Sequence, residues 1–217
     1  ALNTALTTAG SGTVIINGTI DVTALVNVAA GQTLIGSGTV TIKSPSGREA
    51  VLNVSGGKIA STNNSLAYAL SMADNSKLIG MSVSNTNNDA TSTFAVDARN
   101  RTGVTIENST FSGTSGGGGG VAIDARNSTN MIVRNNTLSA TSNGGAGTIG
   151  MMVANASNAT IANNSFSLST SGVKTVIVGN LTTSFNAAST GNTTDSGTCS
   201  FTGGPTGSVG FSTINCP

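Results

Sequence analysis

The sequence of 217 residues contains no histidine and no tryptophan, a single tyrosine, and charged residues at only 8% of its positions. Without histidine, a Ser-His-Asp triad, a histidine-ligated metal site and imidazole acid/base catalysis are excluded. The formal net charge is +1 and the basic residues are scattered, so we expect no nucleic-acid partner. Every apolar run is far shorter than the roughly 20 residues of a membrane-spanning helix, so we expect no membrane insertion of this segment.

Small polar residues dominate what is present. Thr, Ser, Gly and Asn supply 116 of the 217 residues, a composition that is common in disordered chains. Hydrophobic residues still make up 37% of the chain, however, and they recur in short alternating runs that predict β-strands. The chain begins at Ala1 with no charged-then-apolar segment before it. We therefore expect a mature secreted chain or an excised domain, located outside the cell or at its surface.

Both cysteines, Cys199 and Cys216, lie near the end of the sequence. An even number of cysteines in a chain without histidine favours a disulfide and an oxidising compartment. Closing the loop between them is worth ~3 kcal/mol in the chain-entropy model. The alternative is two unrelated buried thiols.

The strongest pattern is an internal repeat of 27 or 28 residues. The stretch from Ala95 aligns with the stretch from Ala122, a looser copy begins at Gly150, and a weaker one at Ala67. Three apolar positions recur in each copy and predict three short strands, each with a residue pointing inward. The predicted columns are Tyr68, Val96, Ile123 and Met151; Leu78, Ile106, Val133 and Ile161; and Val83, Phe111, Leu138 and Phe166.

Such a repeat predicts an all-β, single-stranded parallel β-helix, a solenoid with three strands per coil of about 27 residues. Each strand then pairs with its counterpart one coil on, about 4.8 Å away. We expect one domain over 1–217, with an N-terminal cap helix at 1–10, coils at 11–180 and a disulfide-closed C-terminal cap at 181–217. In the cap helix Leu2, Ala5 and Leu6 share one face, and the following segments, including TVTIK at 39–43, are predicted to form the first coils.

Asparagine recurs at two turn positions of the repeat. Asn tolerates left-handed backbone geometry, and stacked copies can bond amide to amide along the axis. We therefore interpret these residues as structural Asn ladders rather than as a binding site. The predicted ladders are Asn100, Asn127 and Asn155 after the first strand, and Asn108, Asn135 and Asn163 between the second and third strands.

The cap helix, the segments TVIINGTIDVT and VNVAAGQTLIGSGTVTI, and the repeated GVTIENSTFSG units together resemble the right-handed parallel β-helix proteins of the pectate-lyase-like superfamily. The resemblance extends to about Val178 and implies a right-handed coil, in agreement with the general chirality of parallel crossovers. It implies several different functions, because this fold carries lyases, glycoside hydrolases, phage tailspikes and autotransporter passenger domains. Function must therefore be argued from a site.

In enzymes of this superfamily the chemistry lies on the outer face of the first strand, where this chain has its one dense cluster of charge. We call Asp97, Arg99, Asp124 and Arg126 the Asp/Arg cluster. Register pairing is expected to place Asp97 beside Asp124 and Arg99 beside Arg126, and like charges directly opposite are unfavourable. Three interpretations follow: a structural lattice of salt bridges, a ligand-binding patch, or a catalytic site in which two carboxylates hold Ca²⁺ and an Arg acts as base or substrate clamp.

Three functions remain as alternatives. The first is a secreted or cell-surface interaction module, adhesin-like, that binds a glycan or a host or matrix surface, or associates with itself, through a Ser/Thr/Asn-rich face. The second is a calcium-dependent polysaccharide lyase using the Asp/Arg cluster, although the loops before the first strand are short and Gly-rich. The third is ice binding, for which regular Thr rows are needed, whereas Thr105 is followed by Ile132 and then Thr160. No cofactor is expected outside the lyase alternative, and with Tyr68 in an inward column no aromatic sugar platform is expected.

Overall fold

The computed structural model describes residues 1–44, 46–89, 91–212, 214 and 216. It shows an all-β parallel β-solenoid with three strands per coil and one short helix, α1 (Leu2–Ala9), as the repeat predicts. Among the described residues, no helix is long and apolar enough to cross a membrane.

Three parallel sheets run along the solenoid. Sheet A contains β1 (Thr13–Ile15), β4 (Thr33–Ile35), β9 (Lys77–Ile79), β12 (Thr105–Glu107), β15 (Ile132–Arg134) and β18 (Thr160–Ala162). Sheet B contains β2 (Thr19–Asp21), β7 (Lys58–Ser61), β10 (Ser82–Asn87), β13 (Thr110–Ser115), β16 (Thr137–Ser142), β19 (Ser165–Ser169) and β21 (Thr193–Thr194). Sheet C contains β3 (Val26–Asn27), β8 (Tyr68–Ser71), β11 (Thr93–Asp97), β14 (Gly120–Asp124), β17 (Thr148–Met152), β20 (Lys174–Asn180) and β22 (Thr198–Thr202).

The predicted apolar columns of sheets A and B are confirmed, and each forms a continuous stack of buried side chains. The first column is wrong at one residue, because Leu70 and not Tyr68 pairs with Val96. The turn between β8 and β9, at 72–76, is two residues shorter than the corresponding turn at 98–104. An alignment that assumes a constant repeat length therefore places Tyr68, instead of Leu70, in the column of Val96.

The N-terminal helix caps the first coil through a buried glutamine. The Gln32 amide group donates to the carbonyl oxygens of Leu6 and Gly10, at 2.9 and 2.8 Å. Leu6 is fully buried and Leu2 packs against the core, but Ala5, predicted on the same face, is exposed. The helix thus covers the open end of the core, as a solenoid terminus requires.

The segment TVTIK does not belong to a coil, contrary to prediction. It forms most of strand β5 (Gly38–Lys43), which pairs antiparallel with β6 (Glu49–Val54) in a hairpin outside the three sheets. An alternating pattern is the same in a hairpin strand and a coil strand, so alternation alone did not separate the two. The Ser46-Gly47 turn signal between TVTIK and the apolar run at 50–52 was the sequence feature that could have indicated a hairpin.

At the C-terminal end, Cys199 and Cys216 form a disulfide. Parallel pairing does not stop at residue 180: β21 pairs with β19, β22 pairs with β20, and single bridges join Phe185 to Ala159 and Phe211 to Asn192. The part of the chain from 181 to 211 therefore continues the coil in a shortened form.

The turns are built by asparagine. Both predicted sets have left-handed backbones, with φ between 52° and 60°. In the first set, the amides bond one another along the axis: Asn127 donates to Asn100 at 3.1 Å and Asn155 donates to Asn127 at 2.8 Å. In the second set, the amide-to-amide bonds lie one residue further on, where the buried side chains form a continuous chain of hydrogen bonds. That chain consists of Asn136, Asn164 and Asn192.

Candidate functional site

Sheet C positions the Asp/Arg cluster on two neighbouring coils. Asp97, at the end of β11, pairs in register with Asp124, at the end of β14, while the residues beside them in the chain, Val96 and Ile123, are fully buried. The next residue along this row is Met152, so the charges stop after two coils.

Each carboxylate is held by the arginine two residues further along its own coil. Arg99 donates from Nε and Nη2 to the two carboxylate oxygens of Asp97, both at 2.9 Å. Arg126 does the same to Asp124, at 2.9 and 2.7 Å. Nε of Arg99 also lies 3.6 Å from Oδ2 of Asp124, which links the coils. The juxtaposed carboxylates are thus neutralised by two-pronged ion pairs, the strongest geometry for this contact.

Tyr68 completes the cluster, although the sequence predicted that it points inward. Its hydroxyl group donates to Oδ2 of Asp124 at 3.1 Å, and its ring stacks on Phe94 with 4.5 Å between centroids. The Arg99 guanidinium carbon lies 4.7 Å from the centre of the Tyr68 ring, a cation–π distance. Tyr68 is half-buried on the outer side of sheet C, so both its orientation and its column were predicted wrongly.

The environment fixes the protonation of these groups. Burial, together with the negative charge of Asp124, raises the pKa of Tyr68 to about 12. Burial alone would raise the pKa of Asp97, but the hydrogen bonds from Arg99 outweigh it and lower that pKa below its ordinary value. Hydrogen bonding to the paired carboxylate raises the pKa of Arg99 and of Arg126. The cluster is a set of mutually satisfied charges with its tyrosine kept protonated.

The Asp/Arg cluster does not fit Ca²⁺. This ion takes six to eight oxygen ligands, yet all four carboxylate oxygens of Asp97 and Asp124 already accept guanidinium hydrogen bonds. No group of three or more acidic or cysteine side chains in the described part of the chain could hold a metal ion. An arginine whose pKa is raised is also poorly suited to abstract a proton, because a general base works best near the ambient pH.

A second surface lies on sheet B. The sequence predicted a Ser/Thr/Asn-rich face but did not assign it to these strands. Strands β10, β13, β16 and β19 pair in register, and their outward residues are all serine or threonine. We call these twelve residues the hydroxyl face. Its three rows are Ser82, Thr110, Thr137 and Ser165; Ser84, Ser112, Ser139 and Ser167; and Thr86, Thr114, Thr141 and Ser169.

The hydroxyl face is regular, uncharged and available for contacts. Successive hydroxyl groups are spaced about 4.8 Å apart between coils and about 6.6 Å apart along a strand. Within the described residues, Ser167 alone of the twelve has an intramolecular side-chain partner, Asp195 at 2.8 Å. Buried residues such as Phe111 and Leu138 alternate with the hydroxyl residues and anchor the strands to the core. The repeated Ser/Thr-x-Ser/Thr pattern of the third strand was the signal that could have identified this face.

Sheet A offers no comparable surface. Its outward row Thr105, Ile132 and Thr160 is interrupted by an apolar residue, as the sequence indicates. Its neighbouring row contains an ion pair between Glu107 and Arg134 at 2.8 Å.

Comparison of the chain with protein-family models, curated proteins and solved structures finds no match.

Proposed function

We propose that this chain is a secreted or cell-surface interaction module, adhesin-like and of the right-handed pectate-lyase-like β-helix type, that binds an extended neutral glycan through the hydroxyl face. The observation that carries the proposal is the array of twelve in-register hydroxyl residues, of which one has an intramolecular partner among the described residues. The disulfide between Cys199 and Cys216 supports an oxidising, extracellular location.

The chemistry of the hydroxyl face matches a neutral polysaccharide. Each hydroxyl group both donates and accepts a hydrogen bond, as sugar hydroxyl groups do. A single hydrogen bond contributes only about 1 kcal/mol net, so affinity must come from many contacts along a rigid surface. Because the strands are fixed by the core beneath them, the array is already ordered before binding, which lowers the entropic cost of association.

The lyase alternative has less support. Its Ca²⁺ ligands and its base would be Asp97, Asp124 and the two arginines, and these groups satisfy one another. A structural lattice is the interpretation of the Asp/Arg cluster that these contacts favour.

Binding to immobilised glycans tests the proposal. The wild-type chain is applied to a glycan array and sedimented with insoluble cellulose and chitin, beside a Ser112→Lys variant and a Thr105→Lys variant. Ser112 lies inside the hydroxyl face, and Thr105 lies outward on sheet A. Each change adds one positive charge to a strand that has a paired strand on both sides, so the two variants differ only in the sheet that carries the charge. Loss of retention in Ser112→Lys alone supports the proposal, whereas equal retention of both variants, or no retention of the wild type on any neutral glycan, contradicts it.

Ice binding is a second candidate, favoured by one observation. The regular spacing expected for Thr rows occurs on the hydroxyl face, where Thr110 pairs with Thr137 and Thr114 with Thr141, and not on sheet A. Thermal hysteresis of the purified chain distinguishes the two candidates. A freezing-point depression that Ser112→Lys abolishes would favour ice, and a value equal to that of buffer ends this candidate.

A further inference from the structure

A groove of about 350 Å³ lies where the β5–β6 hairpin joins the solenoid, at one end of the hydroxyl face. Its walls include Ser37 and Gly57 from the root of the hairpin, and Ser82 and Thr110 from the hydroxyl face. The volume lies at the lower end of the range for small-molecule sites, about 300 to 1,000 Å³. A single sugar unit is of suitable size.

The groove is preformed by backbone packing. The Gly57 amide donates to the Gly36 carbonyl oxygen at 2.9 Å, and the Ser82 amide donates to the Gly57 carbonyl oxygen at 2.9 Å. A side chain at Gly57 would collide with the backbone of Gly36, so glycine is required for the hairpin root to approach the coil this closely. The groove is therefore already formed in the free protein and needs no rearrangement to accept a ligand.

Lys58 brings a positive charge into this groove without an acidic partner. It lies in a sheet B row between Thr19 and Ser82, and within the described residues it forms no ion pair. The groove lining contains no aspartate or glutamate, and Asp21, the acidic residue on the neighbouring strand β2, pairs with Ala60 instead. Lys58 is half-buried as a residue, and an ammonium group with no acidic partner favours one negative charge on a ligand.

The rest of the lining suits a sugar. Asn108 and Ser37 present an exposed amide group and a hydroxyl group, and neither side chain has an intramolecular hydrogen bond among the described residues. Thr110 adds a third uncharged polar group. Several hydroxyl and amide groups around a single cation form a site for a polyol that carries one anionic substituent.

We propose that this groove binds one singly charged anionic sugar unit, with Lys58 contacting the negative group and Ser82, Thr110 and Asn108 contacting the sugar hydroxyl groups. The site deepens and rests on the proposed glycan-binding function, because Ser82 and Thr110 belong to both the groove and the hydroxyl face. The hydroxyl face would thus bind the neutral units of an extended glycan, and the groove would add affinity for a single acidic unit at one end of it.

The test is an NMR titration of the full chain with glucose 6-sulfate, with glucose as the uncharged counterpart and inorganic sulfate as the free anion. We expect glucose 6-sulfate to shift the amide signals of Lys58, Ser82 and Thr110 to saturation, and glucose and sulfate to bind at least about tenfold more weakly. Lys58→Thr removes the positive charge and places a third hydroxyl residue between Thr19 and Ser82. This change is expected to weaken binding about tenfold or more. Lys58→Arg, which keeps the charge, is expected to retain most of it.

Lys77→Thr is the matched control, because Lys77 lies between Thr33 and Thr105 on sheet A, outside the groove. The proposal is overturned if Lys58→Thr binds as tightly as the wild type, if Lys77→Thr loses the same affinity, or if sulfate alone competes as well as the sulfated sugar. The Ser112→Lys variant separates this inference from the proposed function. This variant is expected to bind glucose 6-sulfate in the groove as the wild type does, but to lose binding of the extended glycan. Failure of the groove and failure of the hydroxyl face can therefore be told apart.

Discussion

The hydroxyl group of Tyr68 donates a hydrogen bond to Oδ2 of Asp124, a carboxylate 56 positions later in the chain and fully buried. The contact spans two coils, because β11 lies between β8 and β14 in sheet C. Asp124 receives two further hydrogen bonds from the side chain of Arg126, so its buried charge is compensated from two sides. A buried charge is tolerated only with such pairing, which gives this pair a structural role.

Titration of the tyrosine tests this environment directly. Tyr68 is the single tyrosine and the chain has no tryptophan, so the ultraviolet signal of phenolate formation reports one group. We expect the folded chain to titrate with a pKa of about 12 and the chain in denaturant to titrate near the usual value of about 10. Because the folded-state pKa is the higher one, the stabilising contribution is complete below pH 10 and is lost as the pH rises towards 12. A folded chain that titrates near pH 10 would show that the Tyr68 contact does not persist.

The two aspartates of the Asp/Arg cluster are expected to differ in their contributions to stability. Asp124 is fully buried and accepts side-chain hydrogen bonds from two residues, Tyr68 and Arg126. The Asp97 side chain is 16% exposed, and its carboxylate accepts hydrogen bonds from Arg99 alone. We expect Asp124→Asn to lower the free energy of unfolding by about 2–4 kcal/mol and Asp97→Asn by about 1 kcal/mol. Neither loss is expected to be larger, because the arginine that loses its charged partner is partly exposed to water. Urea unfolding of both variants measures the difference, and Asp21→Asn serves as an exposed control. Equal losses would contradict the assigned contacts.

The columns of sheets A and B were predictable because strand spacing is constant there from coil to coil. The column containing Leu70 was not, since the turn at 72–76 is shorter than its later counterparts and the sequence gives no direct measure of turn length. Because of the same misalignment, the sequence predicted that Tyr68 points inward, and its contacts with the Asp/Arg cluster were not predicted.

The candidate site was predictable in part. In-register pairing of Asp97 with Asp124 followed from the repeat, but the preference of each arginine for its own coil depends on side-chain conformation, which the repeat does not specify. The hydroxyl face could have been identified from the third strand, where serine and threonine alternate with buried residues. The groove could not, because it requires the hairpin to be placed against the solenoid.

The buried asparagine chain is expected to contribute more to stability than the exposed one. Asn164 donates to Asn192 and to the Val133 carbonyl oxygen and accepts two hydrogen bonds from Asn136, all within the core turn. Asn164→Ala leaves several buried groups without partners, so we expect a loss of about 2–3 kcal/mol in the free energy of unfolding. Asn127→Gly, which keeps the left-handed turn and removes an exposed amide, is expected to cost less than about 1 kcal/mol. Denaturant unfolding of both variants decides, and a reversed order would contradict this account.

Removal of the disulfide is expected to act locally. In a solenoid each coil contacts mainly its neighbours, so loosening one end leaves distant coils intact. Replacing Cys199 and Cys216 with serine is expected to speed amide hydrogen exchange in β22 while leaving β13 and β16 unchanged. In the chain-entropy model the loop closure is worth ~3 kcal/mol. Uniformly faster exchange along the whole chain would show instead that the disulfide supports the entire fold.

Mapping the contact surface of a bound neutral glycan shows whether the hydroxyl face is the binding site. The backbone amide signals of the chain are followed by NMR during titration with cellohexaose and, separately, with chitohexaose. We expect the shifted signals to cluster in β10, β13, β16 and β19, around Ser112 and Ser139, and Ser112→Lys to remove these shifts. Shifts centred on Asp97 and Asp124 in sheet C, or no shifts with either oligosaccharide, would contradict this expectation.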